Sequence, residues 1–187
     1  FEEDRASARA KSNGQATLQR LRSLGLNLIP VEFPDYPVDV HRILLYAEAT
    51  AAFDELNRSR RDTLLKRPNW SQRFRMARTI PAVEYIQADR HRVLLMKKMN
   101  QLLSRVDMVV VPPSEPGTSS NSPLGRNTPL TNLTGHPCVV VPNGFVEDGT
   151  PSTMTFVGKL HAEEEILAVA KRYQDATDFH LQHPNLD

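Results

Sequence analysis

The sequence predicts an α/β domain, a mixed β-sheet covered by helices. Three observations predict it. Met108 to Val111, Cys138 to Val141 and Thr153 to Val157 are short apolar runs rich in β-branched residues, bounded by Pro or Gly as buried strands are. Longer segments on either side carry apolar residues every three or four positions, the period of an amphipathic helix. A chain of 187 residues, 40% hydrophobic and 24% charged, has the composition of one ordinary domain with a core of its own.

Taken in order, Ala8 to Leu24 presents Ala16, Leu18, Leu21 and Leu24 as a partial helical stripe, and Gly25 is its natural stop. Leu26 to Phe33 alternates and is expected to be a strand, with Pro30 marking an edge or a bend. Pro34 and Pro37 form a rigid connector. Val38 to Arg58 is helical by spacing, with Leu44, Leu45, Ala52, Phe53 and Leu56 as its core face. Lys66 to Ser71 breaks the pattern and holds the sole Trp, and Ser71 is placed to cap a short helix through Arg78. Pro81 to Ser104 is the longest expected helix, with a stripe of Val83, Ile86, Leu94, Leu95, Met99 and Leu102. Arg90, Arg92, Lys97 and Lys98 lie beside that stripe as a solvated face complementing the helix dipole.

After the first strand comes a loop, Pro112 to Thr134, rich in Ser, Asn, Gly and Pro. Loops of that length in compact domains are functional or disordered. Anchored on buried strands at both ends, this one is read as functional. The short Gly144 to Pro151 connection makes the last two strands an antiparallel pair. A final helix, Ala162 to Phe179, opens on Glu163, Glu164 and Glu165, which suit the positive end of its dipole. Its buried side is Ile166, Leu167, Val169, Ala170 and Tyr173.

Composition also excludes. A net charge of +1 gives no overall electrostatic footprint for nucleic acid or an anionic membrane, and no run is long and apolar enough to form a spanning helix. The single cysteine, Cys138, cannot form an internal disulfide; within an apolar run it is expected to be buried and inert, and it suits a reducing, cytoplasmic setting. His180 and His183 have metal-ligand spacing, but no neighbouring Cys, Asp or Glu completes a set, so they are read as a polar helix end. His136 is read as structural or as part of a rim. No metal site, phosphate loop or dinucleotide fingerprint is present, and no cofactor is expected.

The run NLTGHPCVVVPNGF followed by EDGTPSTMTFVGKL resembles the C-terminal part of amidase signature enzymes. The matching positions are the turn Asn132, Gly135 and Pro137, the strand end Val141 and Pro142, then Gly144, Phe145, Gly149 and Pro151. VDMVVVPPS resembles the family's Asp-led strand, and Tyr85, Ala88 and Arg92 match a pattern on its long helix. The resemblance implies a single domain over 1–187, the C-terminal portion of the amidase signature fold, in a complete enzyme hydrolysing a carboxamide C–N bond. In that family a Lys, acting through one Ser, activates a second Ser that attacks the amide carbon. Those three residues belong to the N-terminal half, so no catalytic residue is assigned in this chain and it is expected to be inactive alone. Gly117 to Ser122 superficially resembles the nucleophile segment, but Asn121 and Pro123 stand where glycines are needed, and it is read as a polar loop.

The contribution expected of this chain is sheet core and one wall of the acyl pocket. The loop Pro112 to Leu133 and the segment Arg73 to Tyr85 would supply that wall, with Asn127, Thr128, Arg78 and Tyr85 as substrate-binding residues. The expected partner is a small amide, with neither nucleic acid nor membrane, and an uncovered apolar face would let the isolated chain self-associate. An alternative is the glutaminase component of a tRNA-dependent amidotransferase; Gly125 to Thr128 lacks the acidic group that such a component places before the turn. A non-catalytic truncated or binding module is the third reading.

Overall fold

The computed structural model describes residues 8–111 and 127–184, the side chains of Pro68, Asn127 and Thr128 excepted. Its centre is a three-stranded sheet of β1 (Met108–Val111), β2 (Cys138–Phe145) and β3 (Pro151–Gly158), with β3 in the middle. Both pairings are antiparallel: Val109 lies opposite Val157 in one, Val139 opposite Phe156 in the other. The expected helix-covered sheet is therefore present, as is the antiparallel β2–β3 hairpin. The sheet expected to be mixed pairs only antiparallel strands among the described residues.

Side chains alternate across the sheet and so divide the core in two. One cluster joins Val109, Val111 and Val157 to α5 (Ala82–Leu103) through Ala88, Leu95, Met99, Leu102 and Leu103. It also takes Leu44 of α2 (His41–Ala52) and Leu130 and Leu133 of α6 (Asn127–Thr134). The other cluster seats Val141, Met154 and Phe156 against Leu21 of α1 (Ala8–Ser23) and Ile166, Ala170 and Tyr173 of α7 (Glu163–Thr177). The sheet is thus a central layer between two helical layers, a standard solution for elements with apolar faces.

A buried polar knot ties α1 and α7 to the far end of β2. The Thr17 hydroxyl donates to the Asn13 carbonyl (2.8 Å) and accepts from the Asn143 amide at 3.2 Å. The Tyr173 hydroxyl stands 3.2 Å from the same oxygen and, with the Thr17 proton already committed, donates to it. Burial pushes the Tyr173 phenol upward, so it stays protonated in this role. Asn143 is the extra residue of a bulge, where the β2–β3 register shifts between Pro142 and Gly144. At Gly144, φ is +131°, a backbone that favours glycine, and a Cβ would also crowd the Asn13 amide nitrogen at 3.0 Å.

Several expected elements differ. Leu26 to Phe33 forms no strand; it is an extended strap, with Leu26 and Leu28 packed on one core cluster and Val31 and Phe33 on the other. The expected helix from Val38 to Arg58 is divided into a 3₁₀ turn (Val38–Val40), α2 and α3 (Asp54–Arg58), with Phe53 at the break. Of its expected core face only Leu44 is buried, while Leu45 and Phe53 are about half exposed. Ser71 lies inside α4 (Pro68–Ala77) rather than capping it. The α5 stripe is rotated: Leu95, Met99 and Leu102 are buried as expected, but Val83, Ile86 and Leu94 face outward and Ala88 and Leu103 take their place. Leu167 of α7 is likewise exposed. The last eight residues of the expected Pro112 to Thr134 loop are α6.

Candidate functional site

The residues expected to touch substrate fall on two helices and just past the end of a third. Tyr85 sits in the first turn of α5, its ring packed on the core cluster and its hydroxyl donating to the Glu48 carboxylate of α2 at 3.0 Å. That hydrogen bond, together with burial, raises the phenol above its ordinary value. Tyr85 is therefore a proton-bearing donor with its partner already in place. Arg78 follows the end of α4 and is tied to α3: its Nε donates to Asn57 Oδ1 at 2.9 Å and its terminal nitrogen pairs with Asp54. Arg78 and Tyr85 are thus held by separate carboxylates on consecutive helices, and only their outer edges remain for a ligand.

Asn127 and Thr128 begin α6, and their side chains lie outside the described residues. The helix that carries them is firmly held. Leu130 and Leu133 are buried, and Arg92 of α5 donates through Nε to the Leu133 carbonyl at 2.8 Å, capping an otherwise orphaned acceptor. Gly135 closes the helix in the left-handed region (φ +73°), its N–H bonded to the Thr131 carbonyl at 2.8 Å. The Tyr85, Ala88, Arg92 pattern thereby acquires physical content. Tyr85 ties α5 to α2, Ala88 allows close packing at 2% exposure, and Arg92 grips α6.

His136, next in the turn, is buried. Thr134 donates its hydroxyl proton to the Leu130 carbonyl at 2.8 Å, so the 2.8 Å contact from His136 Nδ1 to Thr134 Oγ1 has the imidazole N–H as donor. Burial lowers the His136 pKa, and the ring is a neutral structural link, as expected of a structural residue.

Cys138 departs from expectation. It is exposed at the start of β2, a strand that is paired on one side only among the described residues. The Gly117 to Ser122 run lies outside the described residues. Among the described residues, Ser23, Ser59 and Ser104 donate to backbone carbonyls and Ser71 to Asp62, and none is hydrogen-bonded to a lysine. Nor does any group of three or more His, Cys, Asp or Glu gather as a metal site among them. His180 is in a short 3₁₀ turn and, like His183, is exposed. No helix among the described residues is long and apolar enough to cross a membrane.

One organising residue escaped the sequence reading. Asp62, fully buried in a 3₁₀ turn (Arg61–Leu64), accepts at Oδ2 from Ser71 Oγ (2.5 Å), Asn57 Nδ2 (3.1 Å) and Arg75 (3.2 Å). The Ser71 hydrogen bond is the main cause of its lowered pKa, with Arg75 adding to it. Asp62 therefore docks the 3₁₀ turn on α4 as a carboxylate, and Asn57 passes the connection on to Arg78. The signal available in the sequence was a lone acid inside the cationic run RRDTLLKR.

Comparison with known proteins places this arrangement. The chain is 26% identical over 201 aligned positions to an amidase from Pseudomonas putida, covering 98% of this chain and 42% of that protein. It is 31% identical over 113 positions to one component of a glutamyl-tRNA(Gln) amidotransferase from a Picosynechococcus strain, over 54% of this chain and 23% of that one. Among solved structures, a bacterial aryl acylamidase of the amidase signature enzymes superimposes with a TM-score of 0.76 at 18% identity. That superposition covers 94% of this chain and 42% of that one, and it shows the shared fold. This chain therefore spans well under half the length of the relatives it matches. The family model described as Amidase matches residues 1–167, from α1 through the whole β2–β3 hairpin to the first turn of α7, and the chain belongs to the amidase family.

Proposed function

We propose that this chain is the C-terminal part of an amidase signature hydrolase acting on a carboxamide C–N bond. Its contribution is the sheet core and one wall of the acyl pocket. The observation that carries the reading is the anchored α6, whose first residues, Asn127 and Thr128, follow a Ser-rich stretch of sequence and whose far end is fixed by Arg92, Gly135 and two buried leucines. A substrate-facing loop needs such a rigid base, because positioning a reacting group tolerates little slack. Arg78 and Tyr85 extend the wall from the α4–α5 corner, one as a fixed cation and the other as a fixed donor. The Lys and the two Ser that perform the chemistry come from the complementary segment of the complete protein.

A general amidase is favoured over the glutaminase of an amidotransferase, because Gly125 to Thr128 offers no carboxylate to hold the amino group of glutamine. The test is complementation. The purified chain, and a Ser119→Ala/Ser120→Ala/Ser122→Ala variant, would be assayed on aryl and alkyl amides with and without a co-expressed Lys- and Ser-bearing segment of an amidase relative. No turnover by the chain alone is expected, because losing nucleophile and base forfeits most of a rate enhancement of order 10⁶ or more. Turnover should appear with the complementing segment and survive the triple substitution. A chain that hydrolyses amides alone, or a formed complex without activity, would overturn the proposal.

A further inference from the structure

The net charge of +1 conceals a strong local asymmetry. Residues 53–79 hold eight of the 23 Lys and Arg residues but three of the 22 Asp and Glu residues, a local net of +5 against −4 for the rest. The fold sharpens this imbalance at one point. Where α3 gives way to the 3₁₀ turn, Arg60 takes a left-handed backbone (φ 59°) and the chain doubles back through RRDTLLKR. The one acid of that tip, Asp62, points inward and is committed to Ser71, Asn57 and Arg75. Arg60, Arg61, Lys66 and Arg67 are all exposed, and no carboxylate within ion-pair distance faces them among the described residues. Between these two basic pairs stands Leu64, 80% exposed, the most exposed of the large apolar side chains among the described residues.

We propose that this tip docks on an anionic lipid surface. Leu64 would enter the boundary between headgroups and acyl chains, and the two basic pairs would lie against lipid phosphates and carboxylates. Charge complementarity selects an anionic partner. Leu64 selects lipid over nucleic acid: a phosphate backbone offers no apolar layer for it to enter, whereas a cation–apolar–cation tip matches the layered polarity of a bilayer interface. Trp70, a residue type favoured at such interfaces, lies in α4 with the Arg73 guanidinium 5.4 Å from its ring centroid. Docking there would be peripheral.

The experiment is co-sedimentation of the full chain with phosphatidylcholine vesicles, alone or mixed with phosphatidylserine. Variants would be Lys66→Gln/Arg67→Gln and Leu64→Ser, with circular dichroism verifying unchanged folding at these exposed positions. Binding is expected to require phosphatidylserine and to weaken as salt shortens the screening length. Removing two cations should weaken it roughly thirtyfold, at about 1 kcal/mol for each basic residue near the surface. Leu64→Ser should weaken it about tenfold and leave the remainder wholly salt-sensitive. Absence of vesicle binding, equal binding to neutral vesicles, or indifference to the double substitution would overturn the proposal. Capture by an RNA oligonucleotide without vesicle binding would do the same and would redirect the patch to nucleic acid.

Discussion

Replacing Gly158 with alanine measures how closely α7 is seated on the sheet. Gly158 ends β3, is buried, and donates its N–H to the Pro137 carbonyl at 2.9 Å. Its φ is not in the left-handed region, so alanine meets no backbone objection. What alanine meets is Ile166: the added Cβ would stand 2.8 Å from Ile166 Cγ2, 3.4 Å from the Ala162 carbonyl oxygen and 3.5 Å from Pro137 Cγ. Ile166 is 2% exposed in the first turns of α7 and has little room to give. Overpacking of this kind costs about 1–3 kcal/mol, and the lower unfolded-state entropy of alanine returns about 0.4–1 kcal/mol. A net loss of about 1–2 kcal/mol follows, or roughly 2–8 °C in Tm for a chain of this size. Urea titration with Ile166→Ala alongside isolates the contact. Ile166→Ala alone should cost about 2–5 kcal/mol through its cavity, and the double variant about 1–2 kcal/mol less than the sum. Additivity within about 0.5 kcal/mol, or an unchanged Tm for Gly158→Ala, would refute the argument.

Two further outcomes are expected. His136 has its pKa lowered by burial, so between that lowered value and the ordinary 6.5 the unfolded chain binds the extra proton and the fold does not. Stability should therefore be full above pH 6.5 and fall as the pH drops toward the folded value, and a His136→Gln variant followed by urea titration across pH 5 to 8 should lose that component. In the complemented enzyme, Asn127→Trp or Thr128→Trp should change relative kcat/KM among amides while shifting Tm by no more than about 2 °C. A matched fall in Tm and in activity on every amide would make the first turn of α6 structural.

The strands were legible because β-branched runs between Pro and Gly have few other uses; all three runs are strands, although β2 continues through Pro142 and Gly144 to Phe145 and β3 begins at Pro151. The strap at residues 26–33 misled because alternation reports where side chains go, not whether the backbone has a partner. Leu26, Leu28, Val31 and Phe33 do find cover, from two different clusters. Cys138 misled for a related reason: an apolar run does not say how far along it burial extends, and the start of β2 is exposed. On α5, spacing marked the helix but not its rotation, which turns Ala88, Leu95, Met99, Leu102 and Leu103 into the core cluster they share with the sheet and is a matter of tertiary packing. Arg78 and Tyr85 entered through family resemblance, and the structure adds what local pattern could not, the carboxylates of Asp54 and Glu48 that hold them. Asp62 was invisible because a single acid in a basic run looks like a solvated charge until Ser71 and Asn57 are brought to it.

The placement of β3 between two strands that both precede it in the chain sets an order of events during synthesis. On a ribosome, β1 and β2 leave before their shared partner exists, so MVVV and the start of CVVVPNGF wait without a ladder. At about 5–20 residues per second, the interval from the end of β1 to the end of β3 lasts roughly 2–10 s. The hairpin can close as soon as β3 appears, since its turn is local, whereas β1 must be recruited across about fifty residues, the slower step by loop-closure entropy. A pause in translation within that interval would prolong the life of two sticky, unpaired segments. A slow codon met once β3 has emerged would be harmless by the same logic, because the β1 and β2 ladder partners among the described residues are then available.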